Sequence, residues 1–427
     1  MIKKSIVFLI VILFATHIQA QQFYNPLAVD ITRAILKDLF ESNAVPYIQP
    51  MVNTINATSN VRFYDRAYVP DAVDRPYVRV SVNGMSGYIN EDQRWYTPQI
   101  DLGPRVNVLV ELAKYGKVVI GPSGPSFVIG PLYSDTLGLA TMLVQELFRD
   151  SQDSGFIVLP DSAATLFGQR PDNVVLLPTN AQLLSVLHNR AEYKLLDAAS
   201  KATIDALVSN VNLVGFLTLP PGVDMTRIIA AVPQIEIGAL FGTELLIRFL
   251  PPIEFDPNVG EFSFWGIGIK HSLSQYFPER WFDLAIQGVY QGTRLRNTVG
   301  FTESKLDANA SIYSVNMHAS KNLWKVLDIY TGIAYENIAV TSNYTYVLPQ
   351  ETQIELGLLP APPLGQRAIP TLDQPGDLRP QTSIVKAMNT NVKWTIGASL
   401  GYGPVRIAVD YNVSTFNIFT AGLSITL

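Results

Sequence analysis

The chain has 427 residues, a net charge of −5 and no cysteine, so it offers neither disulfide staples nor a basic surface for nucleic acid. Hydrophobic residues make up 48% and charged residues only 16%, against roughly 25% in ordinary soluble domains. Past the first 20 residues no apolar run approaches the roughly 20 residues of a spanning helix, which excludes a helical membrane protein. Two classes remain, a large soluble β protein and a closed membrane barrel, and periodicity has to separate them.

At the start, Lys3 and Lys4 precede an apolar run from Ile6 to Phe14, and small and polar residues lead to Ala20. This predicts a signal peptide over 1–20, export through it, and a mature chain starting near Gln21. Residues 21–72 read as helical and then irregular. Leu27, Ile31, Ala34, Ile35 and Leu39 form a stripe at helical spacing, and Asn25 before Pro26 marks the helix start. A second short helix is predicted from Tyr47 to Asn56. Preceding the first strand, this segment is expected in the periplasm or inside the lumen, where a helix would act as a plug.

From residue 73 onward strands dominate. The predicted strands are 77–88, 105–119, 211–219, 232–240, 243–250, 262–272, 282–294, 308–318, 326–335, 336–347, 351–359, 391–402, 405–413 and 416–427. The clearest are at the end. Val405, Ile407, Val409, Tyr411 and Val413 alternate with Arg406, Ala408, Asp410 and Asn412, and Phe419, Ala421, Leu423, Ile425 and Leu427 alternate with Thr420, Gly422, Ser424 and Thr426. Such lengths match tilted membrane strands of about 9–11 residues rather than soluble ones of about 5–6. The pattern changes phase within Ala308–Met317, which predicts a bulge there. The fold class is therefore an all-β transmembrane protein, an antiparallel outer-membrane β-barrel of about 14 strands (12–16 allowed).

Residues 120–210 interrupt the strands as a helical insert, with helices predicted at Leu137–Asp150 and Glu192–Asn210. Alternating strand direction backward from Leu427 puts the connections at 360–390, 295–307, 251–261, 220–231 and 89–104 on the side of long external loops. Those at 403–404, 348–350, 319–325, 273–281 and 241–242 fall on the opposite side of short turns. The same parity puts the insert on the short-turn side or up inside the pore; the alternative is a small soluble subdomain with helices packed on one edge of the barrel.

The stretches Pro46–Arg66, Trp95–Arg105 and Phe264–Ser274 resemble an uncharacterised family of Bacteroidota outer-membrane proteins. The architecture is distantly similar to long-chain fatty-acid outer-membrane transporters, with Asn25-Pro26-Leu27 standing where their plug carries Asn-Pro-Ala. This resemblance implies a 14-stranded barrel with an N-terminal plug.

No catalytic constellation is legible. His188, His271 and His318 have no His or Cys neighbours at metal-ligand spacing, so no metal or cofactor is expected. His271 and Ser272 are adjacent on a strand and point to opposite faces, which disqualifies them as a catalytic pair. The candidate binding residues are charges on the lumen face: Arg248, Lys270, Asp283, Asp328, Glu336, Lys393, Arg406 and Asp410, with Glu244 beside them. They tune what passes a pore, or they bridge one another in a closed lumen. The expected partner is outer-membrane lipid. The expected function is a plugged channel or transporter for small or hydrophobic solutes. The alternative is a non-transporting scaffold, or an accessory subunit of an outer-membrane secretion, assembly or uptake complex. An enzyme and a nucleic-acid binder are not expected.

Overall fold

The computed structural model of the protein describes residues 24–427, apart from 72, 104, 106–115, 123, 130–135, 195, 197, 210–212, 257–259, 278, 300–303 and 364–365. The predicted signal peptide lies outside the described residues. Ten antiparallel strands close into a barrel: β1 (Tyr77–Tyr88), β2 (Arg227–Leu240), β3 (Thr243–Asp256), β4 (Gly260–Ser272), β5 (Asp283–Val299), β6 (Ser304–Leu323), β7 (Leu327–Tyr346), β8 (Gln381–Tyr402), β9 (Val405–Val413) and β10 (Ile418–Thr426), with β10 paired back to β1.

The count is ten and not 14. Three predicted strands lie outside the barrel. Residues 351–359 hold a short helix, Gln350–Glu355, and 211–219 supplies only Phe216–Thr218, paired with Val174–Leu176. Most of 105–119 lies outside the described residues, and its end joins the hairpin Gly116–Gly121 with Gly124–Ile129. Two further predicted strands, 326–335 and 336–347, are one strand, β7. Ten strands also remove the count on which the likeness to fatty-acid transporters rested.

The reason for the false division is physical. On β6, Leu306, Ala308, Ala310 and Ile312 face inward, and then Ser314, Asn316, His318 and Ser320 do. Outward, Asn309 and Ser311 give way to Tyr313, Val315 and Met317. β7 does the same at Asn337, with Ile338, Val340, Tyr344 and Tyr346 inward above it. The backbone alternation is unbroken and the ladder runs continuously from Leu323↔Leu327 to Lys305↔Thr345. Only the chemistry of the two faces inverts, so the expected bulge in β6 is absent.

Tracing register around the barrel gives a closure offset of about 12 residues over ten strands, which corresponds to a strand tilt of about 40°. With that tilt the outward apolar zone is a level belt about 22 Å tall. Phe249, Trp265, Tyr290, Tyr313, Tyr335 and Trp394 rim one edge, where Trp265 packs edge-on against Tyr290 at 5.7 Å. Phe241, Trp281, Phe282, Trp324 and Tyr402 rim the other.

The two ends differ. The end carrying Leu427 has the connections 241–242, 273–282, 324–326 and 403–404. The opposite end, the cap end, has the long connections 89–226 and 347–380 and three short ones, between β3 and β4, β5 and β6, and β9 and β10, so the long external loops expected at 251–261 and 295–307 are mostly strand. The insert therefore projects from the end opposite Leu427, which corrects the parity reading. With 105–119 and 211–219 out of the barrel, all of 89–226 is one connection. Likewise 348–350 belongs to the long connection 347–380 and not to a short turn.

One helix, α1 (Pro26–Ser59), replaces the two predicted. Asn25 caps it by accepting from the Leu27 N–H at 3.0 Å. It runs through Pro46 and Pro50. A proline inside a helix orphans the carbonyl four residues earlier. For Pro46 that is Ser42, whose oxygen accepts from the Gln99 side chain at 3.3 Å. The first half of α1 is the centre of a cap built with α2 (Thr136–Asp153), α3 (Asn180–Asn189), α4 (Ala191–Lys194), α5 (Ala198–Ser209) and α6 (Gln350–Glu355). Ile31, Ile35 and Leu39 pack with Leu147, Phe148 and Leu183 of the insert and with Ile312, Ile338 and Val340 from the upper barrel. This is why the strands turn apolar inside above the belt: there they wall the core of the cap.

Candidate functional site

The lumen is the place where the chain's charges converge. From Ser59 the polypeptide leaves α1, descends through the barrel and emerges at the Leu427 end, where the Pro70 carbonyl accepts from Gly242 N–H at 3.2 Å. Between these points it bonds to seven of the ten strands, counted among the described residues. Arg62 pairs with Asp410 of β9 at 2.8 Å and donates to the Tyr330 hydroxyl of β7 at 2.6 Å. Asp65 pairs with Arg79 of β1 at 2.9 Å. Its carbonyl accepts from Ser399 of β8 at 3.3 Å. Asn60 accepts from Gln291 of β5 at 2.9 Å, and Ala67 N–H donates to Ser320 of β6 at 2.8 Å. From β3, Arg248 donates to the carbonyls of Ser59 at 2.9 Å and Val61 at 2.6 Å.

Two of these contacts follow from helix electrostatics. The last carbonyls of a helix lack partners and carry partial negative charge. Arg248 and Lys393, which donates to the Asn60 carbonyl at 2.5 Å, terminate α1 from opposite walls. Arg248 also stacks on Phe63, 4.3 Å from the ring centre. Glycines make room for the descending side chains. A Cβ on Gly332 would sit 2.4 Å from the Tyr64 hydroxyl, and one on Gly422 would sit 3.0 Å from the Arg62 guanidinium.

All eight residues singled out from the sequence lie on the inward face. Lys270 pairs with Glu244 at 2.5 Å, Lys393 with Glu336, Arg406 with Asp328, and Asp410 with Arg62. Arg248 meets carbonyls and the Gln234 side chain rather than a carboxylate. Asp283 stands apart at the Leu427 end, half-buried and paired with Arg280 at 2.7 Å. Sequence reasoning missed Arg79 and Glu236, which complete a network with Asp65 and Glu244. Their signal was present, since Arg79 alternates with Val78 and Val80. Arg62 and Asp65 carried none, because an irregular segment has no period to read.

The packing is tight. Lys270 is 0% exposed, Arg248 1% and Arg79 2%, where residues lining a water-filled passage would be wet. His271 and Ser272 are separated as the strand period requires. His271 meets Thr243 at 2.9 Å on the outer side, and Ser272 is buried inside. Among the described residues no group of three or more His, Cys, Asp or Glu is placed to hold a metal ion. None of the helices among them is long and apolar enough to cross a membrane, which says nothing about strands.

No curated protein matches the chain. Among solved structures it is similar to Ail, the attachment invasion locus protein of Yersinia pestis, at 10% identity and a TM-score of 0.21, over 43% of this chain and 93% of that one. The outer membrane protein OpdK from Pseudomonas aeruginosa aligns at 9% identity and a TM-score of 0.11, over 83% of this chain and 99% of that one. OccK2 (OpdF) of the same organism aligns at 9% and 0.11, over 84% and 98%. Residues 136–427, more than half of the chain, match the family described as "Family of unknown function (DUF6588)", and the protein belongs to that family.

Proposed function

We propose that the protein is an outer-membrane barrel that conducts nothing along its axis and serves as a membrane anchor for its cap. The carrying observation is the segment Asn60–Ala67, bonded to seven strands through buried ion pairs and hydrogen bonds. Breaking one buried pair by removing a partner costs about 3–5 kcal/mol. Withdrawing the whole segment would break at least Arg62–Asp410 and Asp65–Arg79 together. That is out of proportion to ordinary gating.

The belt supports the membrane setting. Exposed apolar side chains on every strand, rimmed by aromatics at both edges, would be a severe liability in water and are what a lipid-facing surface requires. The two long connections, 89–226 and 347–380, both lie at the end opposite Leu427, which fits an external end there and a periplasmic end at Leu427. The cap and the start of α1 then face outside, positioned to meet subunits of a surface complex.

Two measurements test this. The protein extracted from outer membranes is expected to migrate faster unboiled than boiled, and to give no stepwise conductance in planar bilayers. A variant lacking residues 60–68 is expected to conduct. Steady conductance of the intact protein would sink the reading and restore passage of small solutes along the lumen charges.

A further inference from the structure

β8 has a strand on both sides along only part of its length. It pairs with β7 from Tyr346↔Gln381 to Leu327↔Leu400, but with β9 only from Trp394↔Val413 to Tyr402↔Val405. From Gln381 to Lys393 the edge on the β9 side carries no strand. The direction of the backbone groups there is fixed from below. Gly401 N–H donates to the Val326 carbonyl, at the start of β7, at 2.8 Å. Backbone groups alternate sides along a strand, so odd-numbered residues of β8 turn toward β7 and even-numbered ones toward the β9 side. Above Trp394 the bare edge therefore presents the N–H and C=O groups of Thr382, Ile384, Lys386, Met388, Thr390 and Val392. Among the described residues one hydrogen bond reaches these groups, from Gln49 Nε2 of α1 to the Met388 carbonyl at 3.0 Å.

The side chains of the same six residues face outward. Three are apolar and exposed: Ile384 at 66%, Met388 at 66% and Val392 at 64%. Lipid does not account for the upper two. Trp394 marks the cap-side rim of the belt, and at a tilt of about 40° Met388 and Ile384 stand about 15 and about 25 Å above it. Beside the edge runs an exposed stripe of α1, Lys37, Glu41 and Val45, held there by Ser383 donating to Glu41 at 2.9 Å and by Gln49. An unpaired edge with apolar side chains on one side and a helix on the other is a template for one more strand.

We propose that the upper edge of β8 is a docking site for an extended segment of a different protein, which adds to it as a strand and carries an acidic residue opposite Lys386. Lys386 sits in the middle of the outward row, exposed and with no ion-pair partner among the described residues, and its neighbour across the β7 ladder is Thr341. A carboxylate on the added strand complements it, with apolar residues two positions to either side against Ile384 and Met388. A second copy does not fit. Two copies in one bilayer are related by an axis along its normal, which makes strands tilted by about 40° cross at about 80° instead of lying side by side. The proposal rests on the anchor reading above, in which this end lies outside the bilayer.

The test uses the full-length protein in detergent micelles and a dye-labelled nine-residue peptide, valine alternating with threonine and glutamate in place of the central valine. Fluorescence anisotropy is expected to show saturable binding. Ile384→Pro removes one N–H from the bare edge and none from the β7 ladder, a change that edge strands tolerate, and is expected to weaken binding at least tenfold. Lys386→Glu is expected to weaken it as much, and a peptide with lysine at its centre to restore it. The fast unboiled band of each variant shows that the barrel is intact. No saturable binding, or binding indifferent to both substitutions, would overturn the proposal. Disulfide-linked dimers of Thr382→Cys in the outer membrane, where that cysteine is the chain's only one, would assign the edge to a second copy and overturn it too. Planar-bilayer recordings are read separately: silence with no peptide binding leaves the anchor reading standing, and steady conductance sinks it whatever the peptide does.

Discussion

The buried pair Arg62–Asp410 shows how single residues tie the descending segment to the barrel wall. Asp410 also accepts from Tyr330 at 3.0 Å and from Thr420 at 2.5 Å, so its carboxylate is fully bonded in a dry site. Arg62→Met would leave that charge uncompensated. It is expected to cost about 3–5 kcal/mol, read as a lower temperature at which the fast unboiled band disappears. Arg62→Met with Asp410→Asn should recover part of the loss, because the isolated charge is gone. A second residue couples the cap to pH. Asp38, packed in the cap on α1, has its carboxyl pushed up to about 6 by burial and then by Glu41. A raised carboxyl favours the folded state most when protonated. Its contribution is therefore complete below the unfolded value near 4 and lost as pH rises through about 6. Asp38→Asn should stabilise the cap by about 1 kcal/mol at pH 7.5, after allowance for partial solvent screening, and by nothing measurable at pH 4. Parallel melts at the two pH values decide this, and an equal effect at both would refute it.

Among the elements, α1 does two jobs with its two halves. The first half is core to the cap, and the second leads the chain into the barrel. The connection 347–380 clamps its start. Asp377 pairs with Arg33 at 2.5 Å and accepts from Leu348 N–H at 3.1 Å, and Arg379 reaches Asp30 at 2.6 Å. Asp377→Ala removes two of these contacts at once. Limited proteolysis within 360–380 is expected to quicken several-fold, while the unboiled band stays fast because no barrel residue is touched. Equal proteolysis in both proteins would show that the clamp holds nothing. The strands were legible in the sequence wherever a single solvent surrounds both ends of the strand. β9 and β10 lie wholly within the belt and were read correctly. β6 and β7 leave it midway, and their faces exchange chemistry there. A reader of periodicity sees a bulge or two strands where there is one.

For the whole molecule, the consequence is a particular threading. From α1 in the cap the polypeptide passes down the lumen and only then starts β1 at the Leu427 end. Cap and barrel therefore share one continuous element, and neither completes its core without it. Both the region just before α1 and the connection 347–380 should be accessible from the same side. Epitope tags before Pro26 and within 366–374 are expected to be removed by protease added to intact cells. A tag in the turn 324–326 should survive. Protection of the first two with loss of the third would invert the orientation.

Alternation marked an all-β chain, the apolar face of the strands that stay within the belt, and the inward direction of the eight lumen charges, because side-chain direction along a strand is a local property with a period of two. It did not by itself separate a closed barrel from a sandwich, which closure of β10 on β1 decides. The number of strands, the side of the insert and the partners of those charges were decided only in three dimensions. Strand number depends on where each strand leaves the belt, which is set by tilt and closure. Arg62 and Asp65 find Asp410 and Arg79 across sequence separations that no local pattern records.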